Sequence, residues 1–162
     1  MSARAAGTLR WQNMAELLYL DDLRVGQKFT SGTHALDTDQ IKAFAREFDP
    51  QPFHLDEAAA RHSFFQGLAA SGWHTAAITM RLLNDGGLPI AGGIIGAGGE
   101  IQWPQATRPG DLLQVESEIL TVTPSRSRPD RGMATMRSET RNQHGEVLQI
   151  LTAKLVVPRR VK

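Results

Sequence analysis

The sequence predicts an α+β fold in which one buried helix packs against an antiparallel sheet. A single strand pattern comes first, helical patterns follow, and four strand patterns in succession complete the chain. One helical stretch, from about Gly72 to Asn84, is apolar and rich in alanine, as is typical of a buried helix. Because the 162 residues show no internal repeat or linker, we expect a single domain.

The composition excludes several classes of function. The chain is 41% hydrophobic and 22% charged, as in ordinary soluble proteins, and its net charge of +1 gives no overall attraction to nucleic acid or membranes. It has no cysteine, which excludes disulfides and thiolate chemistry, and its five histidines lack the spacing of metal ligands. We therefore expect no metal and no cofactor. The first residues lack the apolar segment of a signal peptide. We expect a flexible leader over residues 1–18 and a domain over 19–158, in a cytoplasmic protein.

Basic residues are concentrated in the last quarter of the chain. Nine of them fall between Thr121 and Lys162, against three acidic residues. They are Arg126, Arg128, Arg131, Arg137, Arg141, Lys154, Arg159, Arg160 and Lys162. Two interpretations remain open: a solvated basic face, or a binding site for an anionic group such as the phosphates of coenzyme A.

The first half of the domain predicts one strand and two helices. The strand runs from about Lys28 to Leu36, and Asp37 with Gln40 resembles a capping box. Apolar residues at helical spacing then predict a helix from Thr38 to Phe48, which places Asp49 at its end. A short helix follows from about Asp56 to His62.

The segment between these helices contains an Asp and a His on a stiffened loop. Pro50 and Pro52 bias the residues before them toward extended geometry, so the loop that carries Asp49 and His54 should be ordered. Asp and His are a common pair for proton transfer. The alternative is that Asp49 is a helix-end residue and His54 a partly buried packing residue.

The second half of the chain predicts the central helix and the sheet. The helix should be buried: Trp73, Ala76, Ala77, Met80 and Leu83 fall on one helical face, with Ile78 and Leu82 beside it. The glycine-rich run from Gly92 to Gly99 lacks the Gly-Lys-Ser/Thr end of a phosphate loop and is interpreted as a tight strand entry. The strands are predicted at Glu100–Trp103, Leu112–Val122, Gly132–Arg141 and Val147–Val157. An exposed turn that contains His144 joins the last two strands.

The loop motif resembles that of a known enzyme family. Asp49-x-Gln51-Pro52-Phe53-His54 is similar to the Asp-x-Asn-Pro-aliphatic-His motif of the MaoC-like dehydratases, the (R)-specific enoyl-CoA hydratases of the hotdog fold. The resemblance extends from about Tyr19 to Val157. It includes Leu23-x-Val25-Gly26-x-x-Phe29 and Arg108-Pro109-Gly110-Asp111-x-Leu113. It implies a single hotdog domain, an antiparallel sheet wrapped around a long central helix.

The resemblance also implies a reaction and its residues. The enzyme would add water to a trans-2-enoyl-CoA to give an (R)-3-hydroxyacyl-CoA, or catalyse the reverse dehydration. Asp49 and His54 would hold the water, one taking its proton and the other protonating Cα. The Gly72 backbone N–H would bind the thioester oxygen, unless Gly72 is a capping or packing glycine. Gln51 would position the loop, unless it is only a surface residue.

Four positions depart from the family pattern, and they bear on substrate fit and rate. Phe48 stands where a glycine is frequent, Gln51 replaces the motif asparagine, Ser71 replaces a histidine, and Met80 occupies the place of a serine. Asp49 and His54 are retained. His74 is expected to be either a further pocket donor or a packing residue.

The implied partner is an acyl-CoA thioester, and a homodimer or a higher oligomer built from dimers is expected. A single hotdog layer leaves apolar surface on one sheet face and along the helix edges. Two other functions remain open: a hotdog acyl-CoA thioesterase, and a non-catalytic acyl-CoA-binding protein. The Asp-x-x-x-x-His loop argues against both of them.

Overall fold

The computed structural model describes residues 17–162, so residues 1–16, most of the predicted leader, lie outside the described residues. Its five strands are β1 (Lys28–Ala35), β2 (Ile95–Gln102), β3 (Leu112–Pro124), β4 (Arg131–Arg141) and β5 (Val147–Pro158). They form one sheet in the order β1-β3-β4-β5-β2, and every neighbouring pair is antiparallel.

Four α-helices lie between β1 and β2. They are α1 (Thr38–Phe48), α2 (Pro52–Leu55), α3 (Glu57–Arg61) and α4 (Gly72–Leu82), and α4 continues into an irregular turn at Leu83–Gly87, in which Gly86 has a φ of +116°. Helix α4 packs against the inner face of the sheet, so the predicted α+β hotdog arrangement is confirmed. Among the described residues, no helix is long and apolar enough to cross a membrane.

Alternation along the strands builds the core. On β3, Leu113, Val115 and Ile119 are buried, whereas the residues between them are polar or more exposed. β4 repeats the pattern with Ala134 and Met136. Strand side chains alternate between the two faces of a sheet, so these residues meet α4 on one side. Each fully buried aliphatic side chain contributes about 1.5–3 kcal/mol to folding, which fixes the position of α4.

The prediction that α4 is buried was right for Ile78, Leu82 and Leu83 and wrong for part of its apolar face. Trp73 and Met80 are 60% and 39% exposed in the single chain, and Ala77 is exposed as well. The buried residues are His74, Thr75, Ile78, Thr79 and Leu82. Threonines are accepted in the core because each hydroxyl has a partner: Thr75 bonds Thr107 at 2.8 Å and Thr79 bonds Thr140 at 2.6 Å.

Strand β2 begins five residues earlier than predicted and contains part of the glycine-rich run. Gly98 lies at a β-bulge with a φ of +147°, which a residue with a side chain rarely adopts. A Cβ on Gly99 would lie 2.5 Å from the carbonyl oxygen of Thr152 on β5. The glycines therefore let this edge strand bulge and approach its neighbour, as the interpretation of close backbone approach requires.

Helix α1 has the predicted bounds. The Asp37 carboxylate accepts a hydrogen bond from the Gln40 N–H at 2.8 Å, which is the predicted N-cap. The following segment was expected to be a loop throughout, but Pro52–Leu55 forms one helical turn. A proline at the first position of a helix costs no hydrogen bond, so Pro52 begins this turn instead of preventing it.

Candidate active site

The two neighbouring helices α1 and α2 hold Asp49 and His54. Asp49 is the C-terminal cap of α1, and its N–H donates to the Ala45 carbonyl at 2.9 Å. His54 lies within α2, which begins after Gln51. The chain reverses between the helices, so that Asp49 Oδ2 and His54 Nε2 are 3.4 Å apart. One small ligand can contact both side chains at this separation.

A backbone carbonyl fixes the orientation of the His54 ring. His54 is 4% exposed, and its Nδ1 lies 2.6 Å from the carbonyl oxygen of Ala69. A carbonyl oxygen only accepts hydrogen bonds, so we assign the hydrogen of the neutral ring to Nδ1. Nε2, which faces Asp49, then carries the lone pair that can accept a proton.

The Asp49 carboxylate is held by polar neighbours. The Gln51 Nε2 donates to Asp49 Oδ1 at 2.7 Å. Burial by itself raises the pKa of Asp49, but hydrogen bonds from Ser71 and Gln51 and the nearby His54 outweigh it and lower the pKa below its ordinary value. Asp49 is therefore ionised near neutral pH. It accepts hydrogen bonds and has no proton to donate.

The N-terminus of α4 lies beside this pair. Ser71 is the N-cap, and its hydroxyl oxygen accepts from the Trp73 N–H at 3.2 Å. Gly72 is the first residue of the helix, so its N–H has no carbonyl partner within α4 and lies at the positive end of the helix dipole. A Cβ on Gly72 would lie 2.6 Å from the ring of Trp103, so only glycine fits there without a shift of that ring.

These residues line one cavity of about 720 Å³, which we call the site cavity. Asp49, Gln51, His54 and Gly72 line it together, and aromatic side chains form much of the remaining wall: Phe53, Phe64, Phe65, Trp73 and Trp103. Among residues 17–162, Arg108 is the only Lys or Arg in the lining. An acid–base pair beside the Gly72 N–H, in a cavity with a partly aromatic wall, is suited to proton transfer next to a polarised carbonyl.

Some residues that the sequence raised as candidates lie elsewhere. None of the nine basic residues after Thr121 lines the site cavity, and five of them form ion pairs with Asp or Glu: Arg131, Arg137, Arg141, Arg159 and Arg160. His74 is buried against Phe44 and is also absent from the lining. Within residues 17–162, no group of three or more His, Cys, Asp or Glu residues has a metal-binding arrangement.

Sequence reasoning missed two parts of the site. The Ala69 carbonyl orients His54 from 15 residues away, and a backbone oxygen leaves no signal in residue types. Trp103 was expected only to end a short strand, yet it packs on Gly72.

Comparisons with known proteins match the part of the chain that contains the candidate active site. A family model described as MaoC like domain matches residues 22–142. The chain is 35% identical over 127 residues to the Bacillus subtilis protein named uncharacterized protein YdeM, across 76% of this chain and 87% of that protein.

Two solved structures have the same fold. A MaoC-like dehydratase from Rhodospirillum rubrum is 65% identical with a TM-score of 0.88, and the match covers 90% of this chain and 99% of that one. The R-hydratase PhaJ1 from Pseudomonas aeruginosa is 27% identical with a TM-score of 0.69, over 89% of this chain and 88% of that one. The family match includes the segment that contains Asp49, His54 and Gly72.

Proposed function

The chain belongs to the MaoC-like dehydratase family, whose members are hydratases and dehydratases, and on this premise we propose that it hydrates a trans-2-enoyl-CoA to an (R)-3-hydroxyacyl-CoA or catalyses the reverse reaction. The observation that carries the proposal is the 3.4 Å approach of Asp49 Oδ2 to His54 Nε2 in the cavity that Gly72 also lines. A water molecule held by both atoms would face the double bond.

His54 is the proton carrier in this proposal. Its Nε2 takes a proton from the water as the oxygen bonds to Cβ, and the imidazolium then gives that proton to Cα. One O–H bond of water and the π bond between Cα and Cβ break, one C–O and one C–H bond form, and both side chains return to their starting states. Asp49, with its lowered pKa, orients the water and stabilises the imidazolium. Both proton steps fall to His54, whereas the sequence had suggested one step for each residue.

Gly72 supplies the electrostatic part of the proposal. Addition of hydroxide at Cβ moves negative charge onto the thioester oxygen. The Gly72 N–H at the start of α4 is free to donate to that oxygen, and the helix dipole favours the negative charge. Loss of one such donor costs about 10²–10³-fold in kcat in other enzymes.

A homodimer is the second part of the proposal. β2 lies at the edge of the sheet and pairs only with β5 among the described strands. Exposed apolar residues lie on this edge strand and on the outer face of α4, with Ile95 53% and Trp73 60% exposed. A second copy that covers this region would bury them and pair the open edge.

The test is loss of the conjugated enoyl thioester absorbance with crotonyl-CoA, for wild type, Asp49→Asn and His54→Ala. We expect kcat/KM to fall by about 10²–10⁴-fold in each variant, because general acid–base catalysis contributes this much. His62→Ala, which replaces an exposed histidine outside the cavity, is the matched control and should behave as wild type.

Two outcomes would contradict the proposal. Full activity in both site variants would remove Asp49 and His54 from the reaction. Release of free thiol without hydration would instead identify a thioesterase.

A further inference from the structure

Trp103 lies where two cavities meet. The second cavity, which we call the inner cavity, is a groove of about 350 Å³ between α4, β2 and β5, and in the single chain it is open to solvent along β2. Trp73 lines both cavities, whereas Trp103 lines only the site cavity. The rings of Trp73 and Trp103 lie edge to face with their centroids 5.2 Å apart. Trp73 therefore lies between the two spaces, and Trp103 packs against it from the side of the site cavity.

Strand β5 shows where the inner cavity ends. Leu151, Ala153 and Leu155 line it in alternation on one face of the strand. Gln149 is the preceding residue on that face, but it does not line the cavity. Its Oε1 accepts a hydrogen bond from the Trp103 Nε1–H at 3.0 Å. Gln149 and Trp103 therefore lie side by side just beyond the end of the inner cavity, on the side of the site cavity.

The Trp103 ring is held from two sides. Gln149 is fully buried, and its Nε2 donates to Thr79 Oγ1 at 3.1 Å, so the amide that binds the indole is itself fixed by α4. A buried amide without partners is costly, which favours this single orientation. On its other side the ring packs so closely on Gly72 that a Cβ there would be 2.6 Å from it.

We propose that Trp103 determines the acyl-chain specificity of the hydratase and that Gln149 positions it. The inference rests on the proposed function, in which the thioester oxygen lies at the Gly72 N–H. A ring packed on Gly72 ends the acyl space next to the reacting atoms and keeps the chain out of the inner cavity. The substrate class is a short-chain 2-enoyl thioester such as crotonyl-CoA.

The first test compares chain-length preference in wild type and Trp103→Ala. The measured quantity is the ratio of kcat/KM for trans-2-octenoyl-CoA to that for crotonyl-CoA. Removal of the indole joins the cavities, so the ratio should rise by at least about tenfold, the effect of a small change in an apolar pocket. Leu120→Ala is the control, because Leu120 is an apolar residue on β3 that is 36% exposed and lines neither cavity, so the ratio should not change.

The positioning role of Gln149 is tested by a double-mutant cycle. Gln149→Met removes the acceptor of the indole N–H with little change in volume, so the ratio should rise while kcat for crotonyl-CoA changes by less than about threefold. Trp103→Phe has no N–H, and in that background Gln149→Met should leave the ratio unchanged. An equal effect in both backgrounds overturns the positioning role.

Calorimetric binding of saturated butyryl-CoA and octanoyl-CoA separates this inference from the proposed function, because it requires no catalysis. If Trp103→Ala binds octanoyl-CoA more tightly than wild type and butyryl-CoA equally well, the role of Trp103 is supported. This holds even if no enoyl thioester is hydrated, in which case only the proposed function fails. An unchanged preference in both rates and binding overturns the inference, as does the absence of binding by either thioester.

Discussion

His74 is a buried histidine that the proposed reaction does not use. It is 8% exposed and stacks on Phe44 with ring centroids 4.5 Å apart. Within residues 17–162, its Nδ1 has no hydrogen-bond partner. Burial, together with the nearby His34, lowers the pKa of His74 to about 4. The folded protein therefore keeps this ring neutral at pH values where the unfolded chain protonates it.

We predict that His74 makes the folded state less stable as pH falls below the ordinary histidine pKa of about 6.5. Between that value and about 4 the unfolded state binds more protons, and this one group should cost about 2 kcal/mol by about pH 5. His74→Phe keeps a ring on Phe44 and removes the titration. Urea unfolding at about pH 7.5 and about pH 5 should therefore show a smaller loss for the variant than for wild type.

His144→Ala is the control for this prediction, because His144 is exposed in the turn between β4 and β5. It should lose as much stability as wild type over the same pH range. If His74→Phe loses that same amount, the buried ring is not the source of the effect.

At the residue scale, the sequence indicated candidate side chains of the site, but it did not indicate the distant groups that contact them. The motif resemblance singled out Asp49 and His54, and their 3.4 Å approach follows from local geometry, because they lie five residues apart around two prolines. The carbonyl that orients His54 and the indole that covers Gly72 come from distant parts of the chain. Their contacts depend on the whole fold, which residue types alone do not encode.

At the scale of elements, one arginine holds the segment that leads to Ala69. Arg108 donates to the carbonyl oxygens of Phe65 at 2.6 Å, Gly67 at 2.9 Å and Leu68 at 3.3 Å. This segment forms no helix or strand, so its carbonyls need donors from elsewhere. Arg108 thereby also fixes the Ala69 carbonyl, which comes next in the chain and holds His54.

We predict that Arg108→Lys lowers the free energy of unfolding by about 1–3 kcal/mol, because an ammonium group cannot bond all three carbonyls in the plane of the guanidinium fork. The kcat for hydration should fall more than KM changes, because His54 loses its alignment. Thermal unfolding and steady-state kinetics measure the two effects. Arg61→Lys on the exposed end of α3 is the control, and equal behaviour of the two variants would contradict the role of Arg108.

Helices and strands were predicted correctly where they depend on residues that are close in sequence. The start of α1 depends on Asp37 and Gln40, three residues apart, and it was predicted correctly. The buried face of α4 depends on Thr75 and Thr79, whose hydroxyl partners lie 32 and 61 residues away. Hydrophobic periodicity counts these threonines as polar, so it selected the face of Trp73 and Met80 instead.

At the scale of the whole molecule, that error points to the partner surface. Periodicity identified an apolar face of α4 that the single chain leaves exposed, and the edge strand β2 lies near it. The inner cavity also lies between these two elements. Trp73 and Met80, which are exposed in the single chain, are expected to be buried in the proposed dimer, because apolar residues near an open sheet edge are covered when a second copy binds.

We predict a particle of twice the chain mass of 17.8 kDa by light scattering at micromolar concentration. Ile95→Lys places a charge at the start of β2 and should shift the mass to that of one chain, because lysine on an edge strand opposes pairing. Leu120→Lys is the matched control, since Leu120 is 36% exposed on β3, away from this edge. A monomeric wild type would contradict the proposed dimer. A dimer that Leu120→Lys dissociates and Ile95→Lys does not would place the interface elsewhere. Because Trp73 belongs both to the exposed face and to the site cavity, Ile95→Lys should also reduce hydration.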